Sequence, residues 1–340
     1  MTEHRTADDR SRDAVVQRHL RELFDRHAGA WDDGVVRFYP PEAESRRHRF
    51  GLAAAHVDGT LGALGDCDVR FPLHSISKVF IHALALEDNG RDRTLRRVGV
   101  EPSGEAYNSI TFDAVNNRPH NPMKNAGALV ATNLVRGRDV EDKVRRLLER
   151  LRVFAANPEL DIDPVVLDEQ LVSNDRNLAL SYLMRSLGML DGDIEENIVV
   201  YLSVCSVGVT TRELALMGAT LANGGTNPVT GARALPREYV RDVVSVMATC
   251  GMYDAAGQWL YDVGIPAKSG VSGGIMAAVP GRIGLAVYSP GLDAHGNSVR
   301  GVNVCRDLSA RFGLHVFNDP EEIRFAVAPP SSGRTTGSSG

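Results

Sequence analysis

The sequence predicts a mixed α/β fold of the α+β kind: a mainly antiparallel sheet flanked by N- and C-terminal helices, with an all-helical lobe inserted mid-chain. Three observations predict it. Short apolar runs separated by turn residues occur near both ends of the 340-residue chain, at 49–73 and again at 264–291. From about residue 79 to 250 apolar residues recur at three-and-four spacing instead. Helical patterns also precede the first run and follow the last, so one sheet built from both ends and covered by two terminal helices accommodates all of them.

The first helix spans 13–28, DAVVQRHLRELFDRHA, with Val16, Leu20, Leu23 and Phe24 at helical spacing and Gly29 as its stop. Residues 1–12 before it are expected to be disordered. RFGLAAAHV, the Asp58-Gly59 turn, TLGAL and DVRFPL then read as antiparallel strands. A second helix follows through Leu86, with Ile76, Val79, Phe80, Ala83 and Leu84 on one face and Ser75, Lys78 and His82 on another. EDKVRRLLERLRVFAA, NDRNLALSYLMRSLGML, NIVVYLSVCSV and TTRELALMGATLANGG continue the helical lobe, the last opening on a Thr210-Thr211 cap and ending on Gly224-Gly225. Between them, residues 101–125 are rich in Asn, Pro and Ser and read as an ordered surface loop of the kind that carries binding groups. GIPAKSG, GGIMAAVPG and RIGLAVYSPG predict a meander of three strands, and SVRGVNVCRDLSARFG closes as a helix with Val302, Cys305, Leu308 and Phe312 on one face. The expected organisation is one unit over 13–317, with a sheet lobe at 30–75 and 260–317, a helical lobe at about 79–250, and a small, polar, disordered tail at 328–340.

Composition narrows the function. Apolar residues make up 43% of the chain, charged residues 24%, and the net charge is −5 with no basic run, which excludes nucleic acid and anionic membrane as electrostatic partners. The N-terminal MTEHRTADDRSRD lacks the apolar core of a secretory signal and nothing reaches the roughly 18 apolar residues of a membrane span, so a cytoplasmic protein is expected. Cys67, Cys205, Cys250 and Cys305 lie far apart without paired spacing, and the histidines lack close ligand spacing, so neither a disulfide framework nor a metal site is expected.

The stretch FPLHSISKVF poses a chemical question, because it sets a lysine three residues after a serine in core-like sequence. A buried lysine is costly unless paired, hydrogen-bonded or neutral, so Lys78 within reach of Ser75 could accept its proton. The plainer reading is an exposed stripe on an ordinary amphipathic helix. This helix leaves the sheet and enters the helical lobe, which puts its first turn at a cleft where backbone N–H groups favour developing negative charge.

Eight segments in order carry a resemblance: SISKVF at 75–80, EPSGEAYNS at 101–109, NPMKNAGAL at 121–129, DRNLAL at 175–180, CSVGVT at 205–210, LALMGATLANGG at 214–225, CGMYDAAG at 250–257 and AKSGVSGGI at 267–275. Over roughly 12–317 the chain is similar to the glutaminase family, serine-dependent amidohydrolases with a β-lactamase-like fold. The resemblance implies hydrolysis of L-glutamine to L-glutamate and ammonia without a cofactor. It implies Ser75 as nucleophile, Lys78 as the group polarising it, and Tyr253 as a second catalytic group whose phenol nearby cations such as Lys78 and Lys268 would have to acidify. Lys268 and Ser269 resemble the Lys-Ser/Thr-Gly strand of that fold, and the Val271 N–H would join that of Ser75 in an oxyanion hole. Asn125, Asn177 and Tyr201 would hold the amino-acid head, and Tyr39 would sit over the cleft as a lid or proton relay. Family members usually self-associate, which implies a homodimer or homotetramer.

The chain departs from the family pattern in places. Seven residues before Asn177, where the family has the glutamate that meets the substrate ammonium, stands Gln170, preceded by Glu169. Acceptance by the Gln170 carbonyl, entry of Glu169, a shift of register, weak glutamine binding and a different amide substrate all stay open. His74 replaces a common glutamine, Lys124 replaces a usual aliphatic residue, and Ser272 interrupts the KSGVSGG run. A related serine amidase, or an amino-acid-binding member weakened by Gln170, are the competing readings.

Overall fold

A computed structural model describes residues 7–29, 47–105 and 110–318. Its elements run α1 (Ala7–Ala28), β1 (Gly51–His56), β2 (Leu61–Gly65), β3 (Phe71–Pro72), α2 (Ser77–Arg97), α3 (Asn125–Leu134), α4 (Val140–Ala155), α5 (Pro164–Val172), α6 (Asp175–Ser186), α7 (Ile194–Cys205), β4 (Gly208–Val209), α8 (Thr211–Ala222), α9 (Arg237–Cys250), α10 (Ala256–Asp262), β5 (Ala267–Ser269), β6 (Gly274–Val279), β7 (Ile283–Tyr288) and α11 (Val299–Phe312). The main sheet has the order β2-β1-β7-β6-β5. All its neighbours pair antiparallel, so strands from both ends of the chain meet at β1 and β7, with Gly51 opposite Tyr288 and His56 opposite Ile283.

The central strands read as continuous apolar runs because both faces of the sheet are covered. Alternate residues go to two separate cores. Ala53, Ala55, Met276, Ala278, Ala286 and Tyr288 join the large core shared with the helical lobe. Leu52, Ala54, Ile275, Ala277, Leu285 and Val287 pack with Leu20 and Leu23 of α1 and Val304, Leu308 and Phe312 of α11. Ser298 caps α11 by accepting from the Gly301 N–H, and Gly313 ends it at φ 58°, a conformation glycine adopts without strain.

Four departures from the sequence reading have local causes. The first helix begins at Ala7 rather than Asp13, beyond the reach of its apolar periodicity in the sequence. The second helix continues past Leu86 to Arg97, through non-helical geometry at Gly90 (φ 74°, ψ 169°). β3 does not join the main sheet but pairs with β4, Phe71 opposite Val209. Finally α8, read as part of the helical lobe, lies against the sheet. A Cβ on Gly218 would stand 2.6 Å from Ala277 O, and one on Gly284 would stand 2.0 Å from Ala219 N, so two glycines let the helix and strand backbones approach. The tail at 328–340 and Tyr39 lie outside the described residues.

Candidate active site

Three otherwise buried stretches each keep one residue partly accessible: Ser75 within 71–86, Asn125 within 121–132 and Val271 within 263–279. All three are residues the sequence singled out.

Ser75 sits in a short 3-10 turn, His74–Ile76, which runs directly into α2, so it precedes the α-helix instead of riding on its face. His74 has φ 43°, a left-handed conformation that a residue with a Cβ occupies at some strain. Its buried ring is held by the Gln170 side chain; burial, then the charge of Lys78, push its pKa down to about 4, so it is neutral at pH 7. Gln170 Nε2 in turn donates to Ser206 Oγ at 2.6 Å, and Ser206 Oγ donates to Leu202 O at 2.8 Å. One helical turn beyond Ser75, Lys78 Nζ donates to Ser75 Oγ at 2.7 Å. Lys78 is only 1% exposed, and burial lowers its pKa to about 8. The stripe that the plainer reading left exposed is therefore buried at Lys78 and His82, with Ser75 partly accessible.

The facing wall is the end of β5. A Cβ on Gly270 would meet Leu73 O at 3.0 Å and Ile76 Cγ1 at 3.3 Å, which shows how closely this strand end approaches the serine turn and sets Val271 beside it. Lys268 is fully buried, and burial followed by the charge of Lys78 holds its pKa well below the usual lysine range. Its Nζ donates to Ser269 O at 2.6 Å and stands 4.0 Å from the centre of the Tyr253 ring. The Tyr253 hydroxyl donates to the same carbonyl at 3.2 Å. Ser269 Oγ donates to Asn297 Oδ1 at 2.6 Å, and Asn297 Nδ2 reaches Met252 O at 3.4 Å. This network braces Tyr253, which has a left-handed φ of 59°.

The helical lobe supplies the third side. Asn125 opens α3 and its Nδ2 donates to Asn177 Oδ1 on α6 at 3.2 Å. Tyr201 of α7 is buried with Lys78 Nζ 5.8 Å from its ring centre, and burial followed by Cys205 raises its pKa well above the usual phenol range. On α5, Glu169 Oε2 is buried with no hydrogen-bond partner among the described residues, while the neighbouring Gln170 is engaged with Ser206 and His74. Beside Tyr253 lies a cavity of about 50 Å³ whose lining includes Ser103, Glu105, Lys124 and Asp254. The sequence reading missed Cys205 and Asn297. Cys205 falls four residues after Tyr201 on one helix face, a spacing that could have found it; Asn297 meets Ser269 across 28 residues and no local pattern points to it. Among the described residues no group of three or more His, Cys, Asp or Glu could hold a metal ion, and no helix is long and apolar enough to cross a membrane.

Known proteins resemble this chain in sequence and in fold. A sequence model of the glutaminase family matches residues 34–317. The glutaminase of Microcystis aeruginosa is 46% identical over 300 residues, covering 88% of this chain and 88% of that protein. The glutaminase of Trichormus variabilis is 49% identical over 286 residues, covering 84% and 85%. Among solved structures, the probable glutaminase ybaS superposes with a TM-score of 0.86 at 35% identity, covering 90% of this chain and 99% of that one. Mglu in its glutamate form superposes with a TM-score of 0.84 at 42% identity, covering 89% and 70%. The sheet and its inserted helical lobe are thus the β-lactamase-like fold of these neighbours. Sequence similarity over most of the chain and the shared fold lead to one conclusion: the chain belongs to the glutaminase family.

Proposed function

We propose that the protein hydrolyses L-glutamine to L-glutamate and ammonia through an ester on Ser75. The observation that carries this reading is the 2.7 Å contact between Lys78 Nζ and the one accessible hydroxyl of the 71–86 stretch. A lysine of ordinary pKa is neutral in only about one molecule in 3,000 at pH 7, whereas one at about 8 is neutral in roughly one in ten. That raises the supply of base by about 300-fold. The neutral amine takes the Ser75 proton as Oγ attacks the side-chain carbonyl carbon, and the Ser75 and Val271 N–H groups hold the oxyanion. The C–N bond breaks as the nitrogen receives a proton, releasing ammonia and leaving a γ-glutamyl ester. Tyr253, braced by Ser269 and Lys268, relays protons at this step and when water attacks the ester. Asn125, Asn177 and Tyr201 hold the amino-acid head. Of the two candidates on α5, we assign the substrate ammonium to Glu169, because its carboxylate oxygen is buried without a partner whereas the Gln170 amide is already committed.

The family membership and a neighbour solved in its glutamate form support the substrate class. Four buried free thiols support a reducing cytoplasmic setting, and self-association into a homodimer or homotetramer is read out by light scattering. Ammonia release from L-glutamine, D-glutamine and L-asparagine, with nitrocefin as a β-lactam control, tests the function. Release from L-glutamine alone is expected; nitrocefin cleavage without ammonia release would favour the related-hydrolase reading.

A further inference from the structure

Lys124 stands immediately before Asn125, as the residue that precedes α3. Its side chain is almost wholly buried and turns toward the 101–105 segment: Nζ donates to Ser103 Oγ at 3.0 Å and lies 3.9 Å from Glu105 Oε2. Glu105 Oε2 also accepts from Thr111 Oγ1 at 2.5 Å, so one carboxylate ties the lysine to the far side of the loop. Other bonds fix the base of the segment. Glu101 N donates to His120 O at 2.9 Å, and Asn121 Nδ2 donates to Glu101 O at 2.8 Å. Ser103, Gly104, Glu105 and Lys124 line the same cavity as Tyr253 and Asp254.

We propose that Lys124 is a positioning residue that pins the 101–105 segment against the mouth of the Tyr253 cavity, so that the pin sets how tightly the site retains its amide substrate. The proposal rests on the glutaminase reading for its kinetic consequence but not for the pin itself. An apolar side chain at 124 could fill the same volume yet could not reach a hydroxyl and a carboxylate at once. Because Glu105 is substantially exposed, the ionic half of the pin is open to screening by salt, while the bond to Ser103 is not.

Hydrogen exchange of the Ser103–Glu105 amides and steady-state kinetics on L-glutamine, each at low and at about 1 M NaCl, test this in wild type, Lys124→Met and Lys124→Arg. Lys124→Met is expected to speed exchange by about tenfold and raise KM by about threefold to tenfold, with kcat within about twofold of wild type and melting temperature little changed. Salt is expected to move wild type toward the variant and leave Lys124→Met where it is; Lys124→Arg is expected to restore most of the difference. If Lys124→Met does not fold, the double variant Ser103→Ala/Glu105→Gln removes the partners instead and is expected to give the same changes. Unchanged exchange overturns the proposal, including the case in which KM alone rises and the ammonium meets substrate directly. So does a matched loss of kcat and KM effects with a lower melting temperature only. A wild type that releases no ammonia sinks the glutaminase reading, while the exchange comparison still decides the pin.

Discussion

Lys78 Nζ lies 2.7 Å from Ser75 Oγ, with the lysine 1% exposed and in no ion pair among the described residues. A lone buried ammonium is unfavourable, and burial lowers the Lys78 pKa to about 8, which under the proposed mechanism enlarges the neutral fraction beside Ser75.

The first prediction joins stability to activity. Lys78→Met is expected to lower kcat by at least about 10²-fold while raising stability by up to about 3 kcal/mol, the equivalent of a pKa moved from 10.5 to about 8. The same shift fixes the pH dependence. Below about pH 8 folded and unfolded chains both hold the proton. Between about 8 and 10.5 the unfolded chain keeps a proton the folded one has released, so wild-type stability gains with pH across that window. Calorimetry on wild type and variant should show this extra gain in wild type alone, and wild-type kcat/KM should rise through about pH 8.

Tyr253→Phe keeps the ring over Lys268 and deletes the bond to Ser269 O. We expect kcat to fall by about 10²-fold. Stability should change by only about 1 kcal/mol, measured by denaturant unfolding. A variant with near-wild-type kcat would remove the phenol from the chemistry.

Glu169 and Gln170 separate cleanly. Glu169→Gln should raise KM for L-glutamine by about tenfold to a hundredfold, as expected for the loss of a charge-assisted contact in a desolvated site. Gln170→Glu, which cannot donate to Ser206, should destabilise by about 1 to 3 kcal/mol without improving KM. Steady-state kinetics with thermal melts on both variants decide the assignment, and a lower KM for Gln170→Glu would return the ammonium to position 170.

Gly284→Ala tests the seat of the whole site. Its Cβ would stand 2.0 Å from Ala219 N and 2.3 Å from Ala215 O, both backbone atoms, so α8 must lift off the sheet. A loss of about 3 kcal/mol or more is expected, seen as a melting temperature several degrees lower.

The antiparallel sheet, its two covering helices and the inserted lobe were legible because two-residue and 3.6-residue periods survive wherever a face meets a core. The helical start at Ala7 was not, because residues 7–12 carry no apolar periodicity, and neither was β3–β4, since Phe71–Pro72 is too short to show any period. At the site, the three-residue spacing brought Ser75 and Lys78 to one face but left an exposed stripe open as the plainer reading. The choice between Glu169 and Gln170 could not be made from spacing, because it depends on Ser206, which lies 36 residues away from Gln170. The role of Lys124 was equally invisible, since Ser103 and Glu105 reach it only through the folded loop.

The most direct test is to mix wild-type protein with L-glutamine, quench within milliseconds in acid, and map the peptide spanning residue 75 by mass spectrometry. A γ-glutamyl ester on Ser75, with no adduct and no ammonia from Ser75→Ala, is the predicted result. Ammonia release at the wild-type rate from Ser75→Ala would contradict it.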